Sequence, residues 1–495
     1  MRKFITGLAL SMAALPLSAL ELPDSVYHYN TEASVSLSSG AHTPFWLVNN
    51  RFGLSSIEKS NGYIRAGIFK DFEYDSRFSW NFGVDLAGAY NFTSSFIVQQ
   101  LYGGVRYRSL SLTAGTQEWT NGIVSEELSS GDMLFSQNAR PIPQVRLAME
   151  NYQPVPYTNK WLSIKGYISM GMYTDGHWQE KHTGPEGDYV KNLLFHSKGG
   201  FLRIGDPDRH TVTVEGGLEM GAQFGGTLYR TSPVTGEREV IRFPHGLKEM
   251  CKILLPMGGG NYEDSNLIGE ELNCLGNHTG QWSLAVNWTP KNTDWRIRTY
   301  YEHYFEDHSM MFFDHAWKDM LLGGEITFPR NPVITSFVYE YLITKDQSGA
   351  VYWDYTPEVP SQISGADNYY NHYLYPGWEH WGMGMGNPLV ISPIYNADGS
   401  LRFAHNRIKG HHFGWKGNPH PDLDYRVLMT YTRSWGIYHK PVRNVLHNFN
   451  ALLEVTYRPH QLPGWTGRIG VAADSGRLLG KSFGAMITIS KSGWL

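Results

Sequence analysis

The chain has 495 residues; 14% are aromatic, 53 are glycine and only 18% are charged, with 42 Lys plus Arg against 46 Asp plus Glu for a net charge of −4. That balance gives no global attraction to nucleic acid or to anionic lipid. The mean hydropathy of −0.36 and the lack of an apolar run of about 20 residues exclude a helical membrane protein, but not a membrane barrel, whose strands average one polar and one apolar face.

The chain opens with Met1, Arg2 and Lys3, then an apolar run from Phe4 to Leu17, then the small residues Ser18 and Ala19. This order predicts a secretory signal peptide over residues 1–19 and an exported mature chain, 20–495. With Leu20 and no cysteine immediately after the expected cleavage point, a lipid anchor on a new amino-terminal cysteine is not expected.

Strand-period alternation then dominates. Phe78, Trp80, Phe82, Val84, Leu86, Tyr90 and Phe92 share one parity, and Ser79, Asn81, Asp85 and Asn91 the other. Val212, Val214, Leu218 and Met220 repeat the pattern against Thr211, Thr213, Glu215 and Glu219. It returns from Tyr425 to Tyr431 and from Phe449 to Tyr457. Strands are predicted near 31–38, 62–74, 78–92, 96–108, 111–119, 142–150, 161–172, 193–204 and 210–222. A second set lies near 281–290, 294–304, 318–328, 333–343, 406–418, 424–436, 447–458, 465–474 and 480–490. Aromatic residues at the strand ends suit membrane interfaces, so the expected fold is all-β: a transmembrane antiparallel barrel of about eighteen strands. Closure would leave no unpaired backbone in lipid.

Connections fall into two sizes, as in outer-membrane barrels with short periplasmic turns and long external loops. The long ones are expected near 120–141, 223–281 and 344–405. Cys251 and Cys274 both lie in the second, and in an exported protein two cysteines most simply pair. Charges of both signs fall on the inward parity: Asp85, Glu215, Glu219, Arg296, Arg298, Glu302, Arg426, Glu454 and Arg468. These could select ions in an open pore, but mixed signs at close quarters predict a largely filled lumen, because a buried charge needs a partner.

Between two alternating runs stands "SQNARPIPQV" (136–145). Pro141 and Pro143 cannot donate ladder hydrogen bonds and so belong at a strand's start. Arg140 at the outer rim could fork onto a uronate carboxylate; alternatively, Arg140 and Asn138 fold the loop into the lumen and pair with wall carboxylates. This stretch resembles the S-x-N-A-R-P-x-P signature of the capsule-assembly Wzi family of outer-membrane proteins. "EGGLEMGAQFGG" (215–226), "YEHYFEDHSMMF" (301–312), "NHYLYPGWEHWGMGMGNPL" (371–389) and the final stretch from Gly467 to Leu495 are similar to that family too. The resemblance implies an eighteen-stranded barrel in the outer membrane of a Gram-negative cell that binds surface polysaccharide as a lectin and helps hold capsule. Two departures stand out: strand pattern begins near residue 31, where the best-known branch carries a helical segment, and the chain ends in Trp494 and Leu495 rather than phenylalanine.

The loop near 344–405 carries Tyr352, Trp353, Tyr355, Tyr369, Tyr370, Tyr373, Tyr375, Trp378 and Trp381 with His372 and His380. Rings at that density outside a bilayer suggest a binding surface, since the C–H faces of sugars stack on aromatic planes; the alternative is a lid packed over the barrel mouth. Candidate carbohydrate-binding residues are Trp353, Tyr355, Tyr369, Tyr370, His372, Tyr373, Trp378, Trp381, Arg140 and Asn138. Glu302, His303, Asp307, His308, Asp314 and His315 are metal-ligand types without compact ligand spacing, and no G-x-S-x-G elbow occurs. No enzyme, metal or cofactor is therefore expected. The expected partners are capsular or other surface polysaccharide and outer-membrane lipid, with a substrate-selective porin or transporter as the alternative function.

Overall fold

The computed structural model describes residues 26–73, 75–232, 235–254, 275–306, 310–349 and 365–495. The expected signal peptide, Trp353, Tyr355 and Cys274 lie outside them, and with Cys274 the expected disulfide.

Eighteen antiparallel strands form one sheet. In chain order they are β1 (Tyr27–Gly40), β2 (Ser60–Lys70), β3 (Phe78–Tyr90), β4 (Phe96–Tyr107), β5 (Leu110–Thr116), β6 (Gln144–Pro154), β7 (Leu162–Met172), β8 (Leu194–Ile204) and β9 (Val212–Phe224). They continue as β10 (Asn277–Trp288), β11 (Arg296–Phe305), β12 (Met320–Thr327), β13 (Ser336–Ile343), β14 (Ile408–His420), β15 (Leu423–Gly436), β16 (Pro441–Tyr457), β17 (Trp465–Gly476) and β18 (Ser482–Trp494). Each strand pairs with the next, and β1 pairs with β18 from His28↔Trp494 to Gly40↔Ser482. The sheet therefore closes into a barrel without an edge. Every predicted strand overlaps one of these.

Outward residues are apolar and exposed, among them Trp80, Leu112, Leu147, Leu322, Leu453 and Ile487, while their inward neighbours Ser79, Ser111, Arg146, Glu454 and Thr488 are buried. Such an apolar belt is stable only in lipid, and the architecture is that of an outer-membrane protein. Alternation slips once in β4, where a bulge opposite Asp85 turns both Gln99 and Gln100 inward.

The hydrophobic core sits inside the lumen rather than between sheet layers. The loop 117–143 descends into it and is stitched to the wall. Glu340 accepts from the Ser129 hydroxyl at 2.5 Å and the Ser130 N–H at 2.7 Å, and Glu302 accepts from the Met133 N–H at 2.9 Å. Asn121 donates to Glu219 at 2.6 Å, Arg298 donates to the Ile123 carbonyl at 2.9 Å, and His412 bonds the Leu128 carbonyl at 2.8 Å. Gly414 on β14 permits the close approach, since a Cβ there would lie 2.3 Å from the Leu128 oxygen. The lumen is filled at this level, although the expected filling does not extend to the periplasmic half, where Arg426, Glu454 and Arg468 line an open recess.

A second insert follows β1: the one-turn helix α1 (Phe45–Val48), all of it buried, with the Phe45 N–H on Asp474 at 2.9 Å and the Trp46 indole N–H on Thr430 at 3.1 Å. Over both inserts lies the described part of the loop between β13 and β14. Tyr370 donates to the Met133 carbonyl at 2.5 Å and Trp378 to the Leu134 carbonyl at 3.0 Å. Tyr300, Tyr304, Tyr369, Tyr370, Trp378 and Phe403 pack with Met133 and Leu134 in one apolar cluster. Each ring of that size removes enough apolar surface from water to contribute about 1.5–3 kcal/mol.

Candidate functional site

On the outer side, short elements stand above the barrel. Tyr189–Lys191, Thr227–Thr231 and Arg238–Arg242 form a three-stranded sheet, flanked by the helices α2 (Gly176–Thr183) and α3 (Leu247–Leu254). Cys251 is exposed on α3. Between the small sheet, the end of α2 and the segments 373–376 and 398–402 opens a cleft of about 240 Å³.

Tyr373 forms part of its wall, half-buried, with the Arg230 guanidinium 5.2 Å from its ring centre. Arg230 is itself held by Glu239 at 2.9 Å. Arg402, exposed, donates to the Tyr373 carbonyl at 3.2 Å and keeps its remaining donors for the cleft. Asp188, Glu186 and Asp398 are exposed on the rim. Tyr189 stacks on Tyr229 at 4.9 Å and 14°. The cleft thus offers a ring, carboxylate acceptors and a cation within one concavity, a mixture suited to a hydroxyl-rich ligand.

A second external feature surrounds "NARPIP". Asn138 is fully buried; its amide donates to the Gly384 carbonyl at 3.0 Å and its oxygen accepts from the Asn50 N–H at 3.2 Å. Arg140 is 7% exposed and does not pair with a wall carboxylate as its structural reading predicted. It donates to the Thr93 hydroxyl at 2.7 Å and the Gly53 carbonyl at 3.4 Å, and lies 4.6 Å from the Trp381 ring centre. The reason is its surroundings: Arg140 is enclosed by the loop residues Gly53, Thr93 and Trp381, and the carboxylate that acts on it is Asp175 of another loop. With neutral partners, burial pulls its guanidinium down to about 10, opposed in part by Asp175.

Trp381 and Gly382 have φ of +56° and +79°, the pair of positive values a type I′ hairpin turn demands. A tryptophan there costs roughly 1–2 kcal/mol, offset by its indole N–H on the Thr174 hydroxyl at 3.1 Å and its backbone N–H on Asp175 at 2.9 Å. Beneath, the Thr174 N–H donates to His380 Nε2 at 3.3 Å, so Nδ1 carries the proton and donates to the Arg140 carbonyl at 2.9 Å. Burial, then the nearby Asp175, pushes the Glu379 carboxyl well above the usual range, and burial lowers His380.

The predicted rings therefore divide. Tyr369, Tyr370 and Trp378 are at most 1% exposed; they hold the plug and present no face to a ligand, which corrects the expectation that they stack on sugar. Asn138 and Arg140 are corrected in the same way, because burial commits their polar atoms to the loop. Tyr373 and Trp381 remain half-buried with open surface. His372 lies behind Tyr373 against Tyr375, and burial, with Arg402 nearby, lowers it to about 3. Arg230, Arg402, Asp188 and Asp398 escaped the sequence reading. The alternation of "GTLYRTSPVTGEREVIRF" (226–243) around its Pro and Gly was the available signal for the hairpin that carries Arg230.

No family model and no curated protein matches the chain. Among solved structures, it is similar to Wzi, an outer membrane protein involved in group 1 capsule assembly in Escherichia coli and described as a carbohydrate-binding β-barrel. The TM-score is 0.57 and the identity 12%, over 94% of this chain and 85% of that one. The outer membrane protein OprD from Pseudomonas aeruginosa aligns at a TM-score of 0.45 and 9% identity, over 95% and 93%. At 12% identity the likeness to Wzi shows the fold alone, an outer-membrane β-barrel.

Proposed function

We propose that this barrel binds a cell-surface polysaccharide at its outer face and retains it without turnover, as a Wzi-type capsule-assembly protein. The carrying observation is the combination of a lumen stitched shut by 117–143 with an open external cleft lined by Tyr373, Arg230 and Arg402. A sugar ring would lie on Tyr373 through its C–H face. Asp188 and Asp398 would accept from its hydroxyls, and Arg402 would donate to its ring or glycosidic oxygens.

A stitched lumen is poorly suited to a porin, and the two readings differ in conductance. In planar bilayers the protein should be nearly silent. Tyr373→Ala together with Asp188→Asn should weaken retention of extracted surface glycan on the purified barrel about tenfold or more, as lost stacking and polar contacts of roughly 1–3 kcal/mol imply. Its heat-modifiable migration on gels should be retained. Steady conductance, or unchanged glycan retention, overturns the reading.

A further inference from the structure

The opposite end of the lumen holds a second concavity of about 600 Å³. Its roof is made by Asn50, Phe52 and Gln137 of the two inserted loops, and its mouth lies among Asn418, Asp424 and Arg458 beside the short turns. It therefore opens to the periplasm and ends blindly against the plug.

Most of its charges are matched. Arg65 pairs with Asp85 and with Glu118 at 3.3 Å, Lys416 pairs with Glu127, and Arg458 pairs with Asp424. One cluster is not matched. On β15, β16 and β17, Arg426, Glu454 and Arg468 share the inward face, and Arg51 reaches them from the loop after β1. Arg426 is 2.9 Å from Glu454, Arg51 is 3.4 Å away, and Arg468 stands off at 4.0 Å. Three guanidiniums thus share the Glu454 carboxylate, Arg426 also donating to the Glu127 carbonyl at 2.9 Å, while Glu32 and Glu126, held by the Tyr63 and Thr120 hydroxyls, line the recess as well. The Nε–H groups of all three find no acceptor among the described residues. Arg468 is the least committed, with its side chain 36% exposed.

Cations held close in a recess of restricted water favour a further anion, and guanidinium geometry matches the oxygens of carboxylate and phosphate. We infer that Arg51, Arg426 and Arg468 form a periplasm-facing anion site that takes one carboxylate or phosphate group of a small ligand. The recess has room for one or two sugar units behind that group. This site is separated from the outer cleft by the plug, and the inference stands whether or not the cleft binds glycan.

The test is calorimetric titration of the detergent-solubilised full chain with inorganic phosphate and, separately, with glucuronate, at constant ionic strength. Saturable binding of at least one is expected. Tighter phosphate binding marks a phosphorylated ligand as the natural source, and tighter glucuronate binding an acidic sugar. Arg468→Gln should weaken binding about tenfold, the loss of one charge-assisted contact, and Arg468→Lys should restore part of it. Glu454→Gln, which removes the resident competitor, should tighten binding. Absence of saturable binding by either probe, or equal affinity in Arg468→Gln and the parent protein, overturns the site.

Discussion

The two halves of the lumen are built from the same strands with the same inward polar parity, yet the outer half is filled by packed side chains and the periplasmic half is an open recess. In the outer half the inserted loops supply rings to fill space and backbone N–H groups to satisfy Glu302 and Glu340. In the lower half the same loops send down only a few side chains, Arg51, Glu118 and Glu127 among them, so arginines and carboxylates face one another across a cavity. Inward polarity alone thus does not decide whether a barrel is plugged. What decides is whether a loop of the right length brings donors to the buried acceptors.

The contrast can be broken from above. Trp378→Ala removes the ring that joins the outer loop to the plug, together with its bond to Leu134, and should cost about 3–5 kcal/mol. The expected readout is protease cleavage within 365–405 while anion binding in the recess persists. Glu340→Ala leaves Ser129, Ser130 and the Tyr300 hydroxyl without their acceptor, a loss of about 3 kcal/mol. It should turn a silent bilayer recording into intermittent conductance, because the recess would then connect to the outside. Continued silence would mean that the other stitches suffice.

Two smaller tests sharpen the comparison at the rim. Arg140→Lys loses the guanidinium contact over the Trp381 ring and the fork onto Thr93 and Gly53, and should destabilise the rim by about 1 kcal/mol. Hydrogen exchange at the Trp381 and Gly382 amides would show it. Asp319, just before β12, accepts from the Asp346 and Gln347 N–H groups at 2.9 and 2.7 Å, and burial pushes it up to about 6. A raised value means that its stabilising contribution is complete below its unfolded value near 4 and is lost as pH rises through about 6. Amides in 344–349 should therefore exchange more slowly at pH 5 than at pH 7.5 after correction for intrinsic rates, and Asp319→Asn should flatten the difference.

The strands were legible because lipid outside and water or plug inside impose a period of two on every one of them. The bulge at Gln99 and Gln100 was not, since one extra residue leaves no mark in composition. Neither were the stitches: Asn121 meets Glu219, and Ser130 meets Glu340, only after the chain has gone around much of the barrel. The rings of 369–381 were legible as a group but not as individuals. Tyr370 and Tyr373 differ by three positions and have the same chemistry, yet one is sealed under the loop and the other faces the cleft. Which side a ring takes is set by contacts from Met133 and Arg230, far away in sequence.

The seam between β1 and β18 ends with the Leu495 N–H on the Tyr27 carbonyl at 2.9 Å. Its partners are further apart in sequence than those of any other described strand pair in the barrel, so loop-closure entropy is greatest for this pairing. A nascent chain halted before its final segment would carry two raw ribbon margins into the periplasm, each able to capture another strand. Export through β18, and chaperoning until that strand pairs with β1, therefore guards the chain against such capture.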